Sequence, residues 1–132
     1  MDKYNSEHYR DPTAQLALKP PRRPLVYVCS AFAGDTEHNI ERTLGYCRFT
    51  IREGGIPIAP HLMYPRFMDD NDKKQRELGL FFALVLLGKA DELWVFGGEI
   101  SSGMTREIAK AKRRDMPIRY FSDKCEIQHQ QL

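Results

Sequence analysis

No apolar run in this 132-residue chain is long enough to cross a bilayer. The longest, LGLFFALVLL at 78–87, is half of the roughly 20 residues that a span requires. The polar opening MDKYNSEHYRDPTAQLALKPPRRP has no continuous apolar stretch behind a basic start, so no signal peptide is expected. Cysteine is scarce: Cys29, Cys47 and Cys125 are odd in number and make no CxxC. Free thiols in a reducing cytoplasm are the expectation, with no zinc site. Strong charge is missing too. A formal +2 gives neither a nucleic acid polymer nor an acidic membrane much to hold. The chain contains no GxGxxG, no GxxxxGK[ST] and no GxSxG. That sets aside a dinucleotide fingerprint, a P-loop and a nucleophile elbow. Asp69, Asp70 and Asp72 lack the spacing and terminal glutamate of a calcium loop, so a solvated loop is expected and no metal or cofactor.

What is present is an ordinary globular balance, 42% apolar and 29% charged residues. The length suits one domain with a modest core. Residues 1–23, ending in the proline-containing KPPRR, are read as a flexible N-terminal arm, and 24–132 as the domain. PLVYVCS (24–30) is nearly continuous in apolar residues, as a strand covered on both faces would be. A helix should follow, capped at Asp35 or Thr36, with Ile40, Leu44, Cys47 and Ile51 on one face. REGG closes it. IPIAP (56–60) reads as a short edge strand, because prolines are tolerated there. After a long loop, a helix from about Gln75 to Gly88 is apolar round most of its circumference. Such a helix needs cover on more than one side, from the sheet and from a second subunit. ELWVF (92–96), a helix to about Arg114 and PIRYF (117–121) complete the pattern. Alternating strands and helices imply an α/β sandwich on a parallel sheet of four to five strands.

GGEISSGMTREIAKA (97–111) carries an anomaly. In a helix starting near Ser102, the residues Met104, Glu107, Ile108 and Ala111 share one stripe, while Arg106, Lys110, Arg113 and Arg114 point to solvent. A carboxylate in a core-facing stripe is either paired with an arginine at its edge or functional. Ser101, Ser102 and Gly103 precede it, between a strand and a helix start. They suit either helix capping or a phosphate pocket of backbone N–H groups. Ligands of open parallel sheets bind at the carboxyl ends of strands, and Ser30, His61, Glu99, Ser101 and Glu107 all fall at such ends. Tyr64 and Phe67 would form an aromatic wall for a base, or belong to the core.

VYVCSAFAGD, LLGKADELWVFG and SSGMTREIAKA, in this order and spacing, resemble the nucleoside 2-deoxyribosyltransferase-like superfamily, and in particular its uncharacterised phage and bacterial branch. The resemblance covers roughly 24–121. It implies a flavodoxin-like three-layer α/β sandwich, assembled as a homodimer or higher homo-oligomer, acting on a small nucleotide or nucleoside without a cofactor. Glu107 stands at the position of the family nucleophile, which attacks C1′ and breaks the N-glycosidic bond. Ser101, six residues before it, matches relatives that hydrolyse nucleoside 5′-monophosphates, and Ser30 matches a phosphate-contacting serine. The chain departs from the pattern twice. Ala83 replaces the aspartate that helps the base to leave, for which His61, Glu99 or Asp70 are candidate substitutes. Phe32 stands where a phosphate-site arginine is expected. Two functions follow as expectations: a nucleotide N-glycosidase or deoxyribosyltransferase, or a nucleotide-binding module that has lost the reaction.

Overall fold

The computed structural model describes residues 22–129, so nearly all of the N-terminal arm expected over 1–23 lies outside the described residues. Strand β1 (Leu25–Cys29) is buried on both faces from its second residue on. Helix α1 (Thr36–Arg52) follows, with Asp35 as its N-cap. Then come β2 (Ile56–Ile58), two short 3-10 turns, and helix α2 (Lys73–Lys89). Strand β3 (Glu92–Phe96), helix α3 (Ser102–Arg113), β4 (Ile118–Phe121) and β5 (Ile127–Gln128) complete the chain. The sheet order is β2-β1-β3-β4-β5, parallel except for β5. This is the flavodoxin-like order, whose strand sequence reverses between β1 and β3 and leaves a crevice at their carboxyl ends.

Alternation along the strands sorts the core into two layers. Val26, Val28, Trp94, Phe96 and Phe121 meet Tyr46 of α1 on one face. Tyr27, Cys29, Leu93 and Val95 meet α2 and α3 on the other. Three layers result, as expected. The fifth strand had no signal in the tail SDKCEIQHQQL. It pairs antiparallel with β4 after a turn closed by Ser122 N–H donating to the Glu126 carbonyl at 2.8 Å.

The buried face of α1 differs from the expected stripe. Thr43, Tyr46 and Thr50 are the buried residues, and Ile51 is 55% exposed. The helix is turned by one residue, about 100°. Tyr46 drives this by stacking on Phe96, with ring centroids 4.4 Å apart. The threonines tolerate burial because each hydroxyl donates back into the helix, Thr43 to the Asn39 carbonyl at 2.8 Å and Thr50 to that of Tyr46 at 2.9 Å. Gly55 then brings the chain against the sheet. A Cβ there would meet Val26 Cγ2 at 2.9 Å.

Helix α2 buries only Ala83 and Leu87 fully. Leu78, Phe81 and Val85 remain 46%, 60% and 39% exposed. Their i, i+3, i+7 spacing makes one apolar stripe that nothing in the described chain covers. Lys110 and Arg114, expected in solvent, instead reach across to α2. They donate to the Leu84 and Gly88 carbonyls at 2.7 and 3.0 Å, a favourable place for cations near a helix C-terminus. At the amino end of the sheet, Asp91 accepts the Leu25 N–H at 2.7 Å. It joins β1 to β3 far from the crevice.

Candidate functional site

The crevice holds a cleft of about 480 Å³, within the range of small-molecule sites. Three chain regions wall it. The loop after β1 gives Ser30, Phe32 and Ala33. The loop with the two 3-10 turns gives His61, Tyr64, Met68, Asp69 and Asp70, and α2 gives Arg76, Gly79, Leu80 and Ala83. The start of α3 gives Ser101, Ser102, Gly103, Met104 and Arg106. The site residues expected at the strand ends supply Ser30, His61, Ser101, Ser102 and Gly103, whereas the α2 wall and the two arginines were not foreseen.

Part of the wall is aromatic. The His61 ring stacks on Phe32 at 5.1 Å with planes 22° apart. Tyr64 packs between Phe67 and Phe82, at 5.7 and 5.5 Å. Of the expected aromatic pair, Tyr64 lines the cleft, whereas Phe67 is 67% exposed outside it. Burial lowers the pKa of His61, and the nearby charge of Asp70 opposes the shift. Neutral imidazole therefore predominates near neutrality.

Another part of the wall is built for an anion. Ser101 is the N-cap of α3, and its Oγ accepts the Met104 N–H at 3.2 Å. Both readings of this serine are thereby compatible, since capping uses a lone pair and leaves the hydroxyl proton for a ligand. The Ser102 and Gly103 N–H groups sit in the first turn, where no helix carbonyl precedes them. Helix dipole and orphan donors together favour negative charge there. Arg76 and Arg106 add cations to the same cleft, and Asp69 and Asp70 set an opposite charge on its loop side. Arg106 was expected to be merely solvated. It is exposed, but on the cleft wall. Its position beside Glu107, one residue from the stripe, was the available signal.

Ser30 is different. It lies 3% exposed, with Oγ 2.8 Å from Thr43 Oγ1. Thr43 has a single hydroxyl proton, which goes to the Asn39 carbonyl. Ser30 must then donate to Thr43, so its hydroxyl proton points inward and is not offered to a phosphate.

Glu107 is 4% exposed and is not part of the cleft wall. Glu107, placed by the sequence with the residues at the strand ends, thus lies behind the wall and not on it. The stripe runs as read, with Met104, Glu107, Ile108 and Ala111 all buried, and that same stripe carries Glu107 under the sheet. The Tyr27 hydroxyl donates to Glu107 Oε2 at 2.6 Å, while Oε1 has no partner. Burial raises the pKa of Glu107. The Tyr27 hydrogen bond, the Cys29 thiol and the Arg106 charge offset this only in part. Tyr27 is itself pushed up, first by burial and then by the adjacent carboxylate. Met104 belongs both to this buried cluster and to the cleft wall.

Glu99 is also displaced from the expected site. It opens into a second hollow of about 320 Å³ on the α1 face, beside Asp35, Asn39 and Arg42. Asp72 caps α2 by accepting the Lys74 N–H at 3.1 Å. Among the described residues, no three His, Cys, Asp or Glu side chains are grouped to hold a metal ion. Nor is any helix among them long and apolar enough to cross a membrane.

Compared with protein families, residues 24–121 match the one described as Domain of unknown function (DUF7768). The match spans β1 through β4 and every residue of the cleft, and the chain belongs to this family. No curated protein matches the chain.

Proposed function

For this member of the family, we propose that the cleft binds a nucleoside 5′-monophosphate and that Glu107 attacks its C1′, breaking the N-glycosidic bond. The protein is then a nucleotide N-glycosidase or deoxyribosyltransferase of the nucleoside 2-deoxyribosyltransferase-like kind. The observation that carries this reading is Glu107 Oε1, a buried oxygen with no partner next to a cleft that has one aromatic wall and one anion-seeking wall. Buried acceptors are almost always satisfied, and the exceptions concentrate where chemistry needs them.

The base lies on the Phe32, His61 and Tyr64 wall. The phosphate lies over the α3 N-terminus, taking the Ser101 hydroxyl, the Ser102 and Gly103 N–H groups and the two arginines. Met104 is the flexible side chain between the cleft and the carboxylate, and it moves aside when the sugar docks. Tyr27 holds Glu107 in one orientation. Attack at C1′ forms a glycosyl ester, which water or a second base then opens with net retention. A second copy of the chain covers the exposed stripe of Leu78, Phe81 and Val85. The three free thiols fit a reducing compartment such as cytoplasm.

One pair of observations favours a second reading, a binding module without catalysis. Ala83 brings no proton to the cleft wall, and Glu107 sits behind it. Incubating the protein with ribo- and deoxyribonucleoside 5′-monophosphates, and with the matching nucleosides, separates the two. Free base released by the intact protein and not by Glu107→Ala, and faster from monophosphates, supports the enzyme. A nucleotide bound tightly and recovered intact supports the module.

A further inference from the structure

We propose that His61 is the general acid that protonates the departing base. This rests on the glycosidic reading of the cleft and goes one step beyond it. A base leaving C1′ takes the electron pair of the C–N bond and needs a proton to become a stable product. The cleft wall offers few sources. Arg76 and Arg106 do not release protons at accessible pH. The Ser30 hydroxyl is engaged in donating to Thr43. Asp69 is exposed, with Oδ1 accepting the Asn71 N–H at 2.9 Å in its own turn. Glu99 opens into the other hollow. Ala83 has nothing to give.

His61 has both the place and the chemistry. Its ring is half-buried and stacked on Phe32, on the wall where a base would stack. Burial lowers its pKa and the charge of Asp70 on the same loop opposes that shift, so the imidazolium is the minority form near neutrality and the acid step draws on it more readily as pH falls. The other titratable or charged groups on the wall are Tyr64 and Asp69 on that loop, Arg76 on α2 and Arg106 on α3. A bound phosphate would add negative charge to the cleft, which favours the imidazolium.

The step balances. The imidazolium gives its proton to a ring nitrogen of the base, the C1′–N bond breaks with its pair going to the base, and Glu107 forms the new C1′–O bond. Water then attacks C1′, releases the carboxylate, and returns one proton to the imidazole. Nothing is oxidised or reduced.

The test compares a natural nucleoside 5′-monophosphate with a pentose 5-phosphate carrying p-nitrophenol at C1, a leaving group that needs no proton. Intact protein, His61→Ala and His61→Phe are assayed, the last keeping a ring on Phe32. Both variants should lose base release by about 10²–10⁴-fold yet release nitrophenol within about threefold of the intact protein. The fall in rate as His61 deprotonates on the alkaline side should vanish with them. Equal loss on both substrates, or no loss on either, overturns the assignment. So does an intact protein that cleaves only the nitrophenyl substrate, which would show Glu107 working without any acid. If intact protein cleaves neither substrate, the glycosidic reading falls and this inference falls with it.

Discussion

Replacing Glu107 by glutamine should make the protein more stable at mildly alkaline pH, not less. The carboxylate is 4% exposed, accepts a hydrogen bond from Tyr27, and leaves Oε1 without a partner. A buried unsatisfied polar atom costs about 1–3 kcal/mol, and more when it is charged. Glutamine keeps the shape and the Tyr27 hydrogen bond and removes the charge, but its NH₂ group must still be placed. The net gain should be about 1 kcal/mol, which for a chain of this size is about 3–5 °C in Tm. The sign follows from counting protons. Burial holds the folded-state pKa above the ordinary 4.5. Between those two values the folded chain binds more protons than the unfolded one, and stability falls as pH rises. The cost is therefore fully present above the folded-state pKa and absent below the ordinary one. Urea melts of both proteins from about pH 4 to about pH 8 should show curves that coincide in acid and separate as pH rises. A variant that is less stable at the alkaline end, or a gap that ignores pH, would refute the reasoning. Glu107 would then be a satisfied structural group, and the case for stored chemistry in it would be lost.

Arg106→Ala should weaken binding of a nucleoside 5′-monophosphate by about 10-fold or more, as for a lost charged hydrogen bond, and barely alter the nucleoside. Isothermal titration of both ligands reads the difference. Phe81→Lys should turn a self-associating protein into a monomer by sedimentation at micromolar concentration, since Phe81 is the most exposed residue of the α2 stripe, at 60%. An intact protein that is already monomeric defeats that prediction. Gly55→Ala should destabilise by about 1–3 kcal/mol in denaturant melts, because the new methyl would lie 2.9 Å from Val26 Cγ2.

The layers of the fold were legible because burial leaves a plain mark on sequence. VYVC and LWVF are apolar without interruption because their strands are central and covered twice. Pro57 marked β2 as an edge, and the sheet order puts it there. The face of α1 misled because Thr43 and Thr50 read as polar. Their hydroxyls are satisfied by the helix itself, which hydropathy does not register. Strand β5 is two residues long and exposed, so it leaves no apolar mark at all. At the site, spacing located Ser101, Ser102, Gly103 and His61 on the cleft, and the stripe placed Glu107 among buried residues. Spacing did not distinguish a residue under a wall from one on it, so Glu107 was expected to be open. Nor did it reveal which hydroxyl had already spent its proton, the difference between Ser30 and Ser101. Arg76 was not singled out and Arg106 was read as solvated, because a long cation at a helix start looks solvated whether or not a cleft lies beneath its end.

The two borders of the sheet constrain how copies of this protein can join. A free strand edge is a template on which another chain can polymerise. Here one border is β2, three residues long, where Pro57 has no N–H to offer. The other is β5, a two-residue strand. Neither presents a run of free backbone groups long enough to recruit a neighbour. Among the described residues, then, neither border of the sheet offers a template for its growth from molecule to molecule.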